Sequence, residues 1–159
     1  MKNYLRLLTV ACVFIFTACD NDDEDVNPNR TQLLTSGSWK ITSSTVNPAL
    51  DFNGDGTIET DLTQFIKACT LDDITIYRSD KTYSEEEGAT KCDPADPQVF
   101  RSGTWALGNN DTELTTTASN TSSATTYKIT EISSNTLVLS QSVADSTGTT
   151  YTFTSTYKH

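Results

Sequence analysis

The stretch Tyr151-Thr152-Phe153-Thr154-Ser155-Thr156-Tyr157 indicates the fold class of this chain. Its aromatic residues all fall on one side of a period-two pattern, and threonines occupy the other side. A period of two is typical of a β-strand that lays one face on an apolar core. The pattern therefore predicts a half-buried strand over residues 148–158.

The same alternation recurs upstream of this strand. Trp39 and Ile41 alternate with Lys40 and Thr42, and Leu137 and Leu139 recur in the same way. Short breaks rich in Asn, Asp and Ser separate most of the runs, which predicts hairpin turns. In all, the patterns predict eight strands, at approximately 37–46, 72–78, 81–86, 101–108, 112–118, 124–132, 136–143 and 148–158.

Eight consecutive antiparallel strands joined by short turns can close into a barrel without open edges. Only residues 60–68 carry apolar side chains at helical spacing. The predicted fold is therefore all-β: an eight-stranded antiparallel up-and-down barrel, with one short helix from residues 60–68 over a barrel mouth.

Two short motifs support this architecture. Gly37-Ser38-Trp39 resembles the Gly-x-Trp signature that opens lipocalin barrels, and Gly103-Thr104-Trp105 repeats it. In order with Cys69 and Cys92, these motifs resemble the lipocalin-like domain of small bacterial lipoproteins. The resemblance implies a lipocalin-like barrel over residues 33–159 and a pairing of the two cysteines, but no particular activity.

The first residues predict an export signal. Lys2 and Arg6 precede an apolar run over residues 7–16, which is too short to span a bilayer. Residues 1–18 are therefore predicted to be a signal peptide. Phe16-Thr17-Ala18-Cys19 resembles the lipobox of bacterial lipoproteins, which implies cleavage before Cys19 and attachment of diacylglycerol and a further acyl chain, such as palmitate, to that residue. An ordinary secretory signal with an incidental cysteine is the alternative.

Residues 19–32 are predicted to form an acidic tether, because the like charges of residues 20–25 repel one another and bury no apolar face. An acidic run behind a lipidated cysteine resembles the signal that sends some lipoproteins to the outer face of the outer membrane. The predicted location is the outer membrane, exposed at the cell surface or otherwise facing the periplasm. The alternative is a plain spacer.

Charge excludes one class of partner. Removing residues 1–18 takes away Lys2 and Arg6 but no acidic residue, so the net charge changes from −10 to −12. Nucleic acid requires a basic patch, and the sequence shows none.

The cysteines indicate a crosslink. Cys12 leaves with the signal peptide and Cys19 carries lipid, which leaves Cys69 and Cys92 in an oxidising compartment. Their simplest state is one disulfide. Two free thiols are the alternative, since a zinc site lacks further ligands.

A candidate Ca²⁺ loop starts at Asp51. The side-chain oxygens of Asp51, Asn53 and Asp55 and the Thr57 carbonyl follow the first positions of an EF-hand loop. Leu62 stands where the closing bidentate Glu belongs, so Asp61 or Glu59 would have to complete the shell. The alternative is a turn whose carboxylates cap its own backbone.

Catalysis is not expected. His159 is the only histidine, and the acidic run Glu85-Glu86-Glu87 is expected to face solvent. Several aromatic residues could instead line a ligand pocket in the barrel or fill its core: Trp39, Trp105, Tyr127, Tyr151 and Phe153.

The leading functional prediction is a lipid-anchored binding module for a small apolar molecule, a glycan or an outer-membrane protein. The alternative is a structural or accessory lipoprotein with a filled barrel. A sizeable apolar cavity at one barrel mouth would favour binding.

Overall fold

Pairing between strands that follow one another in the chain builds nearly the whole molecule. The computed structural model describes residues 29–121 and 123–159. The strands are β1 (Ser38–Leu50), β2 (Glu59–Asp61), β3 (Ile74–Tyr77), β4 (Thr82–Glu86), β5 (Val99–Gly108), β6 (Glu113–Ala118), β7 (Ala124–Ile132), β8 (Thr136–Ala144) and β9 (Thr150–Lys158).

Eight of these strands close into an antiparallel barrel, as predicted. The order runs β1-β3-β4-β5-β6-β7-β8-β9, and β9 returns to pair with β1 from Lys40↔Lys158 to Asn47↔Thr152. The remaining strand, β2, pairs only with the far half of β1, at Thr45↔Asp61 and Leu50↔Glu59. The all-β barrel fold is therefore confirmed, with β2 as an addition.

The predicted helix at residues 60–68 is wrong. That segment begins within β2 and continues with a single turn of 3-10 helix at Thr63–Phe65. The Asp61 carboxylate accepts the Thr63 N–H at 2.8 Å, and the Leu62 N–H donates to the Ser44 carbonyl at 2.8 Å. Pairing with β1 therefore takes backbone groups that an α-helix would need.

The one α-helix among the described residues, α1 (Arg30–Leu34), instead covers the barrel end where β1 begins. Leu34 is completely buried, and its carbonyl accepts the Trp39 indole N–H at 2.9 Å. Arg30 donates to the Asp111 carbonyl in the β5–β6 turn at 3.1 Å. We call this covered end the closed end and the opposite end the open end. Residues 30–32, predicted as tether, belong to α1.

The core fills the closed half of the barrel. Its buried members come from α1 and from every barrel strand except β9: Leu34, Trp39, Tyr77, Tyr83, Trp105, Leu114, Ile129, Leu137 and Leu139. Gly103 permits β5 and β6 to approach closely, since a Cβ there would lie 2.0 Å from the Thr117 carbonyl oxygen. None of the described helices is long and apolar enough to cross a bilayer.

The Cys69–Cys92 disulfide is formed, as predicted. It ties the segment between the 3-10 turn and β3 to the loop between β4 and β5. Both segments lie at the open end, and neither cysteine belongs to a strand. The crosslink therefore fixes two long connections that barrel hydrogen bonds do not hold. The predicted signal peptide (1–18), Cys19 and the predicted tether up to residue 28 lie outside the described residues.

Candidate functional site

A cavity of about 260 Å³ occupies the barrel between the core and the open end. Thr70, Thr75, Thr116 and several aliphatic residues contribute to its wall. Five aromatic side chains complete the lining: Trp39, Tyr77, Phe100, Tyr127 and Tyr157. Ligand sites in proteins usually measure about 300–1,000 Å³. The cavity therefore suits a ligand smaller than most cofactors.

Strand alternation explains why these residues converge. Tyr77, Tyr127 and Tyr157 lie on the inward positions of β3, β7 and β9. Tyr77 belongs to the core, and the other two pack against it. Burial raises the pKa of Tyr157 to about 12 and also raises the pKa of Tyr127. Both phenols are therefore neutral and can act as hydrogen-bond donors or acceptors in the cavity wall.

An ion pair between β4 and β5 lies in the cavity wall, with the Arg101 side chain 56% exposed. Arg101 of β5 lies opposite Glu85 of β4, and its Nη1 is 3.2 Å from Oε1 and 3.1 Å from Oε2 of that carboxylate. The Glu85 side chain is only 25% exposed. Burial raises the pKa of Glu85, and the Arg101 charge opposes that increase. The pair is thus a charged feature inside a partly apolar cavity.

The ion pair also separates two cavities. A second cavity of about 360 Å³ lies toward the β6–β7 connection and is more polar in its lining. Four residues border both spaces: Glu85, Arg101, Thr116 and Tyr127. Movement of the Arg101 and Glu85 side chains would therefore join the two spaces into one of ordinary ligand-site size.

A third charged group, Asp73, precedes β3 at the cavity rim. Its Oδ1 accepts the Gly88 N–H at 3.2 Å. Burial raises the pKa of Asp73, the Gly88 hydrogen bond opposes the increase, and the adjacent Asp72 charge adds to it. In contrast to Glu85, Asp73 forms no salt bridge with any cation in the part of the chain that the structure describes.

The aromatic candidates divide into two groups. Trp39 and Tyr127 line the cavity. Trp105 belongs to the core, where its indole N–H donates to the Arg78 carbonyl at 3.0 Å and Lys81 Nζ lies 3.9 Å from its ring centroid. Tyr151 and Phe153 lie on β9 beyond the cavity, and they are partly exposed.

The expectation that Glu85, Glu86 and Glu87 all face solvent is wrong. Alternation along β4 turns Glu85 inward and leaves Glu86 outside, where its Oε1 is 3.3 Å from Arg78 Nη2. Glu87 is 8% exposed, and its Oε2 has no hydrogen-bond partner. The sequence signal was available: Glu85 lies two residues from Tyr83, and Arg101 lies four residues from Trp105, so each shares an inward face.

The loop from Asp51 to Glu59 forms a set of capped turns. Asp51 accepts the Gly54 N–H at 2.7 Å and the Gly56 N–H at 2.9 Å, and the Asp55 carboxylate accepts the Thr57 N–H at 2.8 Å. The Asn53 amide donates to Asp55 Oδ2 at 2.8 Å. Asp61 is taken up in capping Thr63.

Among residues 29–121 and 123–159, no three His, Cys, Asp or Glu side chains are grouped closely enough to hold a metal ion. The arrangement at Asp51 is thus that of the alternative considered above, in which carboxylates cap the loop backbone. Calcium binding here stays a prediction.

The comparisons with known proteins agree with the barrel. No curated protein sequence matches the chain. A family model described as a lipocalin-like domain matches residues 35–139, which include both Gly-x-Trp motifs, both disulfide cysteines and most residues of the cavity wall. By this match and its closed eight-stranded barrel, the chain belongs to the lipocalin-like domain family.

Proposed function

We propose that the protein is a lipid-anchored binding module of the bacterial outer membrane, which holds a small molecule in the open half of its barrel. The observation that carries this proposal is the aromatic cavity of about 260 Å³ above a filled core. A solid barrel would have continued the packing of Leu114, Leu137 and Leu139 to the open end. Instead, the lining changes there to tyrosine, threonine and charged side chains.

A binding role fits the chemistry of the site better than catalysis does. The lipocalin-like family is typically a non-enzymatic binding fold, and His159 lies at the closed end with its ring against Trp39. The charged groups at the cavity are two carboxylates and a guanidinium, of which Arg101 and Glu85 neutralise each other. These groups can orient a polar ligand within an aromatic enclosure.

The alternative, a structural or accessory surface lipoprotein, draws support from the size of the cavity. At about 260 Å³ it falls below the usual range for ligand sites, and the closed half of the barrel is packed. In that case the exposed loops of the open end would contact a neighbouring outer-membrane protein, and the cavity would hold only water.

Native mass spectrometry of protein purified from its own host tests the proposal. We expect a retained small molecule in the wild type. Thr116→Trp should abolish retention, because Thr116 borders both cavities. Thr115→Trp is the matched control: Thr115 points out of the barrel, where its Oγ1 lies 2.9 Å from Thr126 Oγ1, and retention should persist. Absence of any bound species, or equal retention in both variants, would favour the accessory role.

A further inference from the structure

We infer that the ligand of the open-end cavity is a small organic cation, such as a protonated or quaternary amine with a compact apolar body. This inference rests on the proposed binding function and names its ligand class. It follows from the combination of aromatic faces, an unpaired carboxylate and a neutralised arginine at one cavity.

The balance of charge inside the cavity is negative. Asp73 and Glu85 contribute two carboxylates to the wall, and Arg101 contributes the single cation among its lining residues. Arg101 contacts both oxygens of Glu85, so those two charges cancel. Asp73 therefore remains as the uncompensated charge, and Asp72 beside it intensifies the negative potential.

The second oxygen of Asp73 is free to receive a ligand. Its Oδ1 accepts the Gly88 N–H, which holds the carboxylate at the rim. Its Oδ2 accepts no hydrogen bond from the residues that the structure describes. A cation in the cavity would relieve both the partial burial of this carboxylate and the repulsion from Asp72. Asp73 therefore has an oxygen available for an ion pair with a cationic ligand.

The aromatic residues supply the second half of the recognition. A cation over the face of Trp or Tyr is attracted by the negative face of the ring, and the attraction is strongest where water is excluded. Tyr77 is held in place, because its ring stacks with Tyr83 and meets Trp105 edge-on. Tyr127 and Tyr157 add further ring surface to the same space. A preformed aromatic enclosure costs a ligand little conformational entropy.

An anionic ligand is disfavoured by the same geometry. An anion at Arg101 would compete with Glu85, which already contacts Nη1 of that guanidinium. It would also lie near the two carboxylates of the cavity wall, Glu85 and Asp73. Repulsion from these carboxylates would offset the attraction to Arg101. A neutral ligand would leave the charge of Asp73 uncompensated.

Three probes of nearly identical shape separate these cases: 3-phenylpropylammonium, 3-phenylpropanol and 3-phenylpropionate. Isothermal titration of the purified full chain should give at least tenfold tighter binding for the ammonium than for the alcohol, and the weakest binding for the carboxylate. Asp73→Asn keeps an oxygen for the Gly88 N–H while it removes the charge, so it should bring the ammonium down to the affinity of the alcohol. Asp80→Asn, in the β3–β4 turn at the closed end, is the control and should change nothing.

The ranking of the three probes on the wild type tests the inference even if Asp73→Asn does not fold. Equal affinity for ammonium and alcohol, or strongest binding of the carboxylate, would overturn the cation inference and leave the binding function intact. Binding of none of the three would also overturn it. The native mass spectrum would then decide separately whether the barrel binds a ligand at all.

Discussion

The imidazole of His159 stacks on the indole of Trp39, with ring centroids 3.9 Å apart. Its Nδ1 lies 2.9 Å from the Ser38 carbonyl oxygen and its Nε2 3.1 Å from Ser36 Oγ. The last residue of the chain is thereby joined to the first Gly-x-Trp motif at the closed end. Trp39 is only 1% exposed, so His159 contributes to the cover over the core.

This contact should stabilise the fold. His159→Ala is expected to lower the free energy of unfolding by about 1 kcal/mol, since aromatic pairs contribute roughly 0.5–1.5 kcal/mol beyond buried area. His159→Phe keeps the ring and should recover part of that loss. Urea denaturation followed by tryptophan fluorescence measures both. Equal stability of wild type and His159→Ala would show that the stacking contributes nothing.

Gly37 provides a sharper test of the same contact. A Cβ at Gly37 would lie 2.9 Å from two atoms of the His159 ring. Gly37→Ala should therefore destabilise the wild type by displacing His159 but should cost much less in the His159→Ala background. A double-mutant cycle measures this coupling. Additive effects would place the cost of Gly37→Ala in the backbone instead.

The disulfide supports a second prediction. Cys69 and Cys92 are 23 residues apart, and closing a loop of that size stabilises a protein by about 3 kcal/mol in the chain-entropy estimate. Cys69→Ser with Cys92→Ser should lower the melting temperature, and the wild type in reductant should fall to the same value. Intact mass after alkylation without reductant should show no modification of either residue. Two alkylated thiols in freshly purified protein would contradict the bond.

Sequence periodicity predicted the barrel strands well because inward and outward residues differ so plainly. All eight predicted strands exist, and their ends mostly shift by only a few residues. Periodicity does not predict β2, because a strand of three residues is too short to show a repeating pattern. Glu59–Asp61 forms a strand only because β1 extends to Leu50 and pairs with it. The helix α1, with five residues, is also too short to show a repeat.

The cavity was only partly predictable. The sequence pattern offers Trp39 and Tyr127 as lining candidates, but it does not predict the charged lining, because acidic residues in a run are usually solvated. Asp73 and Arg101 become neighbours of the cavity only when β3, β4 and β5 pair, and that register depends on contacts remote in sequence. The sequence pattern also gives no sign of the contact between His159 and Trp39, because only closure of β9 onto β1 brings the two residues together.

Membrane attachment gives the third prediction. Cys19→Ala should release the protein into the soluble fraction, because both acylation and cleavage are proposed to depend on that thiol. Several acyl chains anchor stably where a single chain would not. Fractionation with immunoblotting measures the result, and Cys12→Ala, within the predicted signal peptide, is the matched control that should remain in the membrane pellet. Recovery of Cys19→Ala in that pellet would contradict the lipobox interpretation.

The Asp51 loop gives the fourth prediction. If it binds Ca²⁺, the melting temperature should rise with millimolar Ca²⁺ and less with Mg²⁺, because an ion that binds only the folded state stabilises it. Asp55→Asn is a better variant than Asp55→Ala, since Asn can still accept the Thr57 N–H but lacks the charge. It should remove the calcium response while it preserves the loop. An unchanged midpoint of the wild type in Ca²⁺, Mg²⁺ and chelator would reduce the motif to a capped turn.

The fifth prediction concerns pH and follows from the carboxylates at the open end. Burial raises the pKa of Asp73, Glu85 and Glu87 in the folded protein, and for Glu87 the nearby charges of Asp73 and Asp96 add to the increase. The folded state therefore binds their protons more tightly than the unfolded state does. Their deprotonation lowers the free energy of unfolding as pH rises through the folded pKa values.

Four other carboxylates set the acidic limit of this stability. Hydrogen bonds from the side chains or backbone of nearby residues lower the pKa of Asp55, Asp61, Asp80 and Asp145 below the ordinary value of 3.8. Their contribution is present above that value and is lost only as pH falls through the lowered pKa values. The two groups of carboxylates together predict maximal stability in acidic solution, near the ordinary carboxyl pKa values of about 4, and a decline from there toward neutral pH.

Thermal unfolding at constant ionic strength should therefore give a higher midpoint at pH 5 than at pH 7.5. Glu87→Gln should reduce this difference, because Glu87 Oε2 is buried without a hydrogen-bond partner. At neutral pH this carboxyl group is ionised, and glutamine cannot ionise. Glu86→Gln, one residue away on the outer face beside Arg78, is the matched control and should leave the difference unchanged. The contrary result would be a wild-type midpoint that increases steadily from pH 5 to pH 7.5. Ionisation of the inward carboxylates would then not destabilise the folded state, and the description of the open end as a place of costly buried charge would be wrong.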